Sequence, residues 1–561
     1  MANKILTPVT LWSDFNDQLP LEEEVIEESE KEKAKISYIA YSGRAIGSER
    51  VRIAALFARP LTGDSFPALL ILPTADKTFD EALALRFVAK GYAVLMPDYR
   101  GKWEGAERFT SYPETVSYGN FAEAGDRLVS VQETAKETTW YEWVAVARYS
   151  LKYLKSKDCI SQIGVIGIKK GGDVAWQLTA TAEGISCAII VCAGGWNAYR
   201  GIYKFGENTE LKMDEERHRF LAGVDAQAYA PYAKCPVLML CSTNDEDFDA
   251  DRAFDTFARI NEAQEKTFYF SARYNGHIGN TAMNDLDLFI DKYLKNREVF
   301  IPGPAEITID EDEGELVAKI SFDKNGEVKY CEVYMAEDNM DASTRDWVLC
   351  ERKYEDKDGY AVFKMNAYNN AKTVYAFAKA KYSCGFAVSS KIAVKRLEKT
   401  YSNMCPQSRI LYSSKNGTDS FTLDQYDNNV LADCFLDNSV KPVYLVEGPF
   451  GIRGVYSSYG LRSYRLNDPR FSPGENAVLK LDAYSEKPTA LHAAIYIVRK
   501  EEKLKYTCTL RLPGGEAWVN LILNAKDFKN NVNRPLSHFG ESTYITFDAE
   551  DCFCINNFLW I

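Results

Sequence analysis

The chain has 561 residues, of which 67 are basic and 80 acidic, and its net charge is −13. This length exceeds a single packed core, so we expect roughly three or four domains. A composition with 46% hydrophobic and 26% charged residues excludes wholesale disorder and low-complexity repeats. Because the net charge is negative and Lys and Arg form no runs, nucleic acid is excluded as a main partner.

Targeting and ligand-binding signals are sparse. The N-terminus lacks the apolar segment of a secretory signal, and no apolar run reaches the ~18 residues that a membrane span needs. We therefore expect a cytoplasmic protein with no membrane partner. The thirteen cysteines include no Cys-x-x-Cys pair and are expected to be reduced thiols. The cysteines and the four histidines form no complete metal-ligand set, so we expect no metal and no cofactor. The oligomeric state stays open.

The first part of the chain is expected to be an α/β domain. Residues 1–35 are an acidic lead-in, and residues 36–297 alternate short apolar strands with amphipathic helices. This rhythm predicts a mostly parallel, doubly wound sheet with helices on both faces. Two insertions, residues 101–137 and 197–233, follow the carboxyl ends of strands, the edge where such sheets bind ligands. We interpret them as candidate lids.

The remainder of the chain is expected to be all β. After Pro302-Gly303-Pro304 the helical pattern stops and short alternating strands follow. We predict a β-sandwich over residues 303–397 and a second sandwich, of jelly-roll size, over residues 402–561. The first resembles fibronectin-III or Ig-like modules around 346–348 and 382–390. The second resembles galactose-binding-like jelly rolls in its last strand, 555–561.

One motif carries the chemical argument. A predicted strand, 163–168, runs through Gly167-Ile168-Lys169-Lys170-Gly171-Gly172 into a helix. This is the strand–turn–helix context of the G-x-S-x-G nucleophile elbow, with Lys169 at the position of the serine. The chain here resembles the α/β-hydrolase superfamily. The Gly-Ile-x-Lys-Gly-Gly string is most similar to dienelactone-hydrolase-like enzymes and to the acyl-CoA thioesterase and bile-acid N-acyltransferase group, a resemblance that covers about residues 36–297.

The resemblance implies an acid and a histidine later in the chain. Asp245 follows the predicted strand 236–242, and His277 follows strand 267–274, in the order of the family. Lys169, Asp245 and His277 are therefore the catalytic candidates. Asp247 and Asp249 are rivals for the acid, although Asp249 could instead cap the following helix. The alternative for His277 is a histidine on a solvated turn. The other three histidines, His218, His492 and His538, lack such a context.

An oxyanion hole is expected after strand 67–73. The backbone N–H groups of Thr74 or Ala75, together with that of Lys170, are the candidates, since side-chain identity matters little there. The elbow itself lacks a hydroxyl or thiol. Acyl transfer to a lysine amine gives an amide, which is far more stable to water than an ester, so serine-type turnover is not expected.

Three interpretations of Lys169 remain open. Its ammonium pairs with Asp245 or another acidic neighbour in a hydrolase fold that has lost its nucleophile. Alternatively, burial and His277 lower its pKa, and Lys169 acts as a general base or Schiff-base amine. In the third, Lys169 and Lys170 hold a carboxylate or phosphate at the helix N-terminus.

Further residues are candidates for substrate binding. Trp196, Tyr199 and Tyr203 follow strand 187–193 and either wall a pocket or fasten the lid to the domain. Arg100 either binds substrate or pairs with a neighbouring acid. The expected function is that of a relative of acyl ester and thioester hydrolases that acts on or binds an acylated or uronic-acid-bearing carbohydrate. The alternative is a non-catalytic carbohydrate-binding or scaffolding pseudoenzyme.

Overall fold

The described residues form two compact units. The computed structural model describes residues 5–76, 79–355, 360–424, 443–474, 476–499 and 502–561. The first unit comprises Met1–Cys241, Asp247–Phe268 and Asn284–Gly303, and the second comprises Ser242–Glu246, Tyr269–Met283 and Pro304–Ile561. The segment 36–297, expected as one domain, therefore contributes to both units.

A nine-stranded sheet organises the first half of the chain. Its strand order is β1-β2-β3-β5-β4-β6-β7-β8-β9. The strands are β1 Glu24–Lys31, β2 Ala34–Ile46, β3 Glu49–Pro60, β4 Phe66–Leu72, β5 Ala93–Pro97, β6 Ile160–Ile168, β7 Cys187–Val191, β8 Val237–Ser242 and β9 Lys266–Ser271. Because β1 lies within residues 1–35, the sheet begins in the segment expected as a lead-in.

The pairing divides this sheet into two parts. Strands β1, β2 and β3 pair antiparallel, and β3 joins β5 antiparallel. Strands β5, β4, β6, β7 and β8 then run parallel. The parallel strands are apolar nearly throughout and buried on both faces, as strands covered by helices must be. Their carboxyl ends lie along one edge of the sheet, the expected ligand edge.

Helices connect the parallel strands. The longest, α4, is amphipathic and begins where the Thr138 hydroxyl accepts from the N–H of Tyr141, a side-chain cap. Of the two insertions, the one before α4 contains α3, and the one before β8 contains α6 and α7. The helices are α1 Pro8–Leu11, α2 Glu81–Val88, α3 Asp126–Val129, α4 Thr139–Lys155, α5 Lys170–Thr181, α6 Glu215–Gly223, α7 Ala226–Tyr229, α8 Ala250–Ala258 and α9 Asn280–Lys295.

The first β-sandwich follows Pro304. One sheet has the order β10-β11-β15-β14; the other has the order β13-β12-β16-β17, with β18 also on β16. Residues such as Leu316, Val333 and Val374 form a core between them. The strands are β10 Glu306–Asp312, β11 Glu315–Ser321, β12 Val328–Glu337, β13 Val348–Leu349, β14 Glu351–Glu355, β15 Ala361–Lys364, β16 Thr373–Tyr382, β17 Ala387–Ser389 and β18 Ala393–Arg396.

The second β-sandwich has its own core, built on residues such as Leu481, Ile495 and Phe547. Its sheets have the orders β21-β22-β29-β24-β27, with β19 on β29, and β20-β23-β28-β25-β26. The strands are β19 Ile410–Tyr412, β20 Thr422–Leu423, β21 Tyr444–Glu447, β22 Arg453–Tyr456, β23 Leu461–Ser463, β24 Leu479–Tyr484, β25 Thr489–Arg499, β26 Glu502–Leu512, β27 Val519–Leu523, β28 Tyr544–Ala549 and β29 Cys554–Trp560. All pairings between the named strands of the two sandwiches are antiparallel.

Membrane-spanning helices and metal-ligand clusters are both absent from the described residues. No helix in the described ranges is both long and apolar enough to cross a membrane. The same ranges contain no group of three or more His, Cys, Asp or Glu side chains arranged to hold a metal ion.

Candidate functional site

Lys169 occupies a sharp turn between β6 and α5. Its backbone angles are φ 50° and ψ −118°, which few non-glycine residues adopt. Its N–H donates to the carbonyl of Val191 on β7 at 2.8 Å, and its own carbonyl accepts from the N–H of Gly172 at 2.7 Å. The turn is thus tied both to the sheet and to the helix. This is the geometry of a nucleophile elbow.

Glycine is required at the positions around Lys169 because neighbouring atoms lie very close to the backbone there. A Cβ on Gly167 would lie 2.5 Å from Cβ of Ala175, and one on Gly172 would lie 2.5 Å from Cβ of Ala193. A Cβ on Gly171 would lie 2.1 Å from the carbonyl oxygen of Leu72. These distances are far inside van der Waals contact. Helix α5 therefore starts directly against the ends of β4 and β7, which only glycine permits.

The side chain of Lys169 lies in a small cavity at this edge. Its Nζ is 3.2 Å from Oδ2 of Asp247, and the two side chains are 20% and 60% exposed. The cavity has a volume of about 50 Å³, space for a few water-sized groups. Its lining residues are Trp140, Lys169, Lys170, Asp173, Cys192, Ala193, Gly194, Gly195, Asn197, Asp247 and Phe248.

Asp173 gives this cavity a group that titrates near neutrality. Desolvation raises the pKa of Asp173 to about 7, opposed by the amide of Asn197 and the charge of Lys170. The Asn197 amide donates to Oδ2 of Asp173 at 3.4 Å. The described lining contains two lysines and two carboxylates, and protonation of Asp173 below about pH 7 removes one of the two negative charges. The cavity therefore becomes net positive as the pH falls.

The loop after β4 contains Thr74 and Ala75, the expected backbone donors of an oxyanion hole. Thr74 and Ala75 are buried, and they follow the strand end against which Gly171 packs. Within the described residues, the Thr74 hydroxyl has no hydrogen-bond partner. The N–H of Lys170 belongs to the first turn of α5, where intrahelical acceptors are lacking. The end of β4 and the start of α5 are therefore in close contact at Gly171.

Asp245 and His277 lie on the loops after β8 and β9 and belong to the second unit, whereas Lys169 belongs to the first. Asp245 is buried, and His277 is half-buried. A Cβ on Gly276, the residue before His277, would lie 2.9 Å from the carboxyl carbon of Asp245. The two loops are therefore packed against each other. Nδ1 of His277 is 3.0 Å from the carbonyl oxygen of Asn275.

The rivals for the acid have other contacts. Asp249 is the N-cap of α8, accepting from the N–H of Asp251 at 3.1 Å, and it pairs with Arg252 at 2.6 Å. Asp249 therefore caps α8, which is the alternative role expected for it. Asp247 forms the ion pair with Lys169 described above.

The aromatic candidates mainly fasten the insertion that follows β7. The indole N–H of Trp196 donates to the Thr256 hydroxyl at 2.8 Å, and the Tyr199 hydroxyl donates to Glu210 at 3.2 Å. Neither they nor Tyr203, which is half-buried, are among the residues lining the Lys169 cavity.

Arg100 lies apart from that cavity. It is 3% exposed, its Nε is 3.5 Å from Oδ1 of Asp98, and its guanidinium lies 4.6 Å from the ring centre of Trp103. It lines a separate open depression together with Asp76 and Glu104. Arg100 thus pairs with the neighbouring acid Asp98, which is one of the two roles expected for it.

Parts of the chain are similar to known proteins. The sequence model for X-Pro dipeptidyl-peptidase (S15 family) matches residues 47–209, which include the elbow. A solved acetyl xylan esterase from Paenibacillus sp. R4 is similar over 50% of this chain and 90% of its own, with 16% identity and a TM-score of 0.38. Acetyl xylan esterase 1 from Thermoanaerobacterium sp. JW/SL YS485 is similar over 53% and 96%, with 15% identity and a TM-score of 0.39. The acylaminoacyl peptidase of Pyrococcus horikoshii is similar over 50% and 51%, with 15% identity and a TM-score of 0.34. No curated protein matches.

The chain has an α/β-hydrolase fold. At these identities and TM-scores the structural similarities carry no argument about the chemistry of this chain. Lys169 lies in the turn between β6 and α5, and the all-β sheets occupy the C-terminal part of the chain.

Sequence reasoning missed two residues of the cavity. Cys192, at φ 48°, follows β7 directly, and Asp173 follows the elbow glycines. Cys192 is the one residue of the described lining with a thiol or hydroxyl group. The signal for Asp173 was present, because an acid in the first turn after Gly171-Gly172 must face the elbow side of the helix. The signal for Cys192 was its place at the carboxyl end of β7.

Proposed function

We propose that this hydrolase-fold protein no longer performs serine-esterase turnover and instead recognises an acylated or uronic-acid-bearing carbohydrate at its elbow. The observation that carries the proposal is Lys169, which occupies the nucleophile position and faces a cavity that Lys170 also lines. An ammonium at an elbow attracts a carboxylate, and it cannot sustain an acyl-ester cycle.

The cavity favours a small anionic group. The N-terminus of α5, a twelve-residue helix, places N–H groups and the positive end of the helix dipole at this point. The cavity of about 50 Å³ has room for a carboxylate and not for a sugar ring. The sugar of such a ligand would therefore lie outside the cavity, with its carboxylate or acyl carbonyl inserted.

The ion pair of Lys169 does not oppose this role. Asp247 is 60% exposed, and exposed pairs contribute about 0–1 kcal/mol. A ligand carboxylate can therefore compete with Asp247 for the Lys169 ammonium at little cost. A deeply buried lysine–carboxylate pair would have resisted such an exchange.

We assign Asp245 and His277 to the acid and base positions by their order along the chain and by the packing of their loops. In the first unit we assign Lys169 to the elbow position, with the N–H of Thr74 or Ala75 and that of Lys170 as backbone donors. The second candidate function is a non-catalytic binding or scaffolding pseudoenzyme. It is favoured by the absence of hydroxyl groups among the described cavity-lining residues.

Ligand binding is tested by thermal unfolding. Glucuronate and galacturonate should raise the melting temperature of the wild type, whereas glucose and galactose should not. Lys169→Met keeps the length and the apolar stem of the side chain but removes the ammonium, and it should abolish the shift. Equal shifts with neutral and acidic sugars, or a shift retained in Lys169→Met, would contradict recognition of a carboxylate by Lys169.

Turnover separates the two candidate functions. Acylated oligosaccharides, esters and thioesters are offered to the wild type, to His277→Gln and to Cys192→Ala. Product release that His277→Gln removes would favour an enzyme over a pseudoenzyme. Loss in Cys192→Ala as well would identify the thiol as the nucleophile.

A further inference from the structure

The loops that carry Asp245 and His277 group with the β-sandwiches. Residues Ser242–Glu246 and Tyr269–Met283 belong to the same compact unit as Pro304–Ile561. Each loop contains an asparagine in the left-handed region, Asn244 at φ 61° and Asn275 at φ 50°. Asparagine tolerates this conformation better than most residues, but the side chain is also free to hydrogen-bond elsewhere.

The first sandwich holds the loop of Asp245. The side-chain amide of Asn244, the residue before Asp245, donates to the carbonyl of Arg345 at 2.8 Å and to that of Ser343 at 3.3 Å. Asn244 is fully buried, so these bonds are shielded from water. The backbone of β9 is also tied to this sandwich, because the N–H of Phe270 donates to the Ser389 hydroxyl at 2.9 Å.

The second sandwich holds the loop of His277 through Asn275. The Asn275 amide donates to the Thr422 hydroxyl and to the Leu423 carbonyl, both at 2.7 Å. Its carbonyl oxygen accepts from the Tyr464 hydroxyl at 3.0 Å. The amide nitrogen of this side chain is thus bound to β20, and its oxygen is bound to Tyr464, the residue that follows β23. Arg273, two residues earlier, adds a bond to the Phe421 carbonyl at 2.9 Å.

The same asparagine holds the imidazole of His277. Nδ1 of His277 lies 3.0 Å from the backbone carbonyl oxygen of Asn275, and a carbonyl oxygen can only accept. Nδ1 therefore carries the proton in the neutral ring, and the lone pair is on Nε2. A histidine that acts as a general base does so through its unprotonated nitrogen.

We propose that Asn275 is a positioning residue that couples the C-terminal sandwich to His277. Thr422, Leu423 and Tyr464 fix the Asn275 side chain, and the Asn275 carbonyl in turn selects the Nδ1–H tautomer and the orientation of His277. The jelly-roll-sized sandwich thereby contributes to the positioning of His277. This inference rests on the proposed role of His277 as the base.

The tautomer of His277 is measured in the full chain. The protein is labelled with ¹⁵N-histidine, and the signal of His277, one of four histidines, is assigned with His277→Gln. The wild type should show the Nδ1–H tautomer at pH 8. Asn275→Gly keeps the left-handed backbone accessible but removes all three anchoring bonds. In this variant the ratio of Nδ1–H to Nε2–H tautomer should fall about fivefold, the factor equivalent to one ordinary hydrogen bond.

A milder variant and a matched control complete the test. Tyr464→Phe removes one of the three anchors and should lower the ratio less than Asn275→Gly does. Tyr444→Phe makes the same change on β21, in the other sheet of this sandwich, where the Tyr444 ring contacts Tyr456, and it should leave the spectrum unchanged. Urea unfolding shows that each variant is folded.

Two results would overturn the inference. One is a wild-type His277 with its proton on Nε2. The other is a folded Asn275→Gly or Tyr464→Phe whose tautomer ratio equals that of the wild type, which would make these bonds purely structural. The tautomer is read without ligand or turnover. A failure of carbohydrate recognition at Lys169 is therefore distinguishable from a failure of this coupling.

Discussion

The ion pair between Lys169 and Asp247 predicts a small effect on stability. Nζ of Lys169 is 3.2 Å from Oδ2 of Asp247, and the Asp247 side chain is 60% exposed. The pair Arg44–Glu142 in the same unit is the contrast. Both oxygens of Glu142 accept from the Arg44 guanidinium, one of them from Nε at 2.7 Å, and the Glu142 side chain is 0% exposed. An exposed pair contributes about 0–1 kcal/mol, and breaking a buried one costs about 3–5 kcal/mol.

We therefore expect Asp247→Asn to lower the free energy of unfolding by less than about 1 kcal/mol and Glu142→Gln by about 3–5 kcal/mol. Urea unfolding followed by tryptophan fluorescence measures both. The double variant Lys169→Met with Asp247→Asn should show a coupling energy below about 0.5 kcal/mol.

The reasoning fails if Asp247→Asn costs as much as Glu142→Gln. The ion pair of Lys169 would then stabilise the fold strongly, and a ligand carboxylate could not replace Asp247 at low cost. The recognition proposal would lose its physical basis.

Three further predictions concern the elbow. The wild type should hydrolyse small activated esters at near background rates, and Lys169→Ser should raise the rate if the backbone donors form an oxyanion hole. Gly171→Ala places a Cβ 2.1 Å from the Leu72 carbonyl oxygen and should destabilise the chain by more than about 3 kcal/mol in urea unfolding, whereas Gly474→Ala, with open space around it, should be near neutral. Uronate affinity, measured by calorimetry, should rise as the pH falls through about 7, because Asp173 takes up a proton there, and Asp173→Asn should remove this dependence.

Each of these has a contrary result. Robust ester turnover that persists in Lys169→Ala would reveal another nucleophile. A Gly171→Ala variant as stable as the wild type would mean that α5 does not start against β4 as described. A pH dependence retained in Asp173→Asn would assign the titration to another group.

Asp173 also affects stability, and the sign follows from its raised pKa. The folded state binds its proton up to about pH 7, whereas the unfolded chain releases it near the ordinary value of 3.8. The folded state therefore holds more protons between these values. The contribution to stability is present at low pH and is lost as the pH rises toward 7.

The sequence by itself determined the features that depend on neighbouring residues. The elbow followed from three glycines and a strand–helix junction, because only glycine allows the approach of α5 to β4 and β7. The strand predicted at 163–168 lies within β6, Ile160–Ile168, and the strand predicted at 236–242 matches β8, Val237–Ser242. Alternation and helical periodicity are local, so they are legible in a short stretch of chain.

The tertiary structure decided which distant groups meet. The sequence offered Asp245 or another acid as the partner of Lys169; the observed ion pair is with Asp247, 78 residues away. It gave no indication that Asn275 bonds Thr422, a separation of 147 residues, or that the loops of Asp245 and His277 group with the sandwiches. Such pairings depend on the packing of whole sheets, and no local periodicity encodes them, because they form only once the separate elements have been brought together.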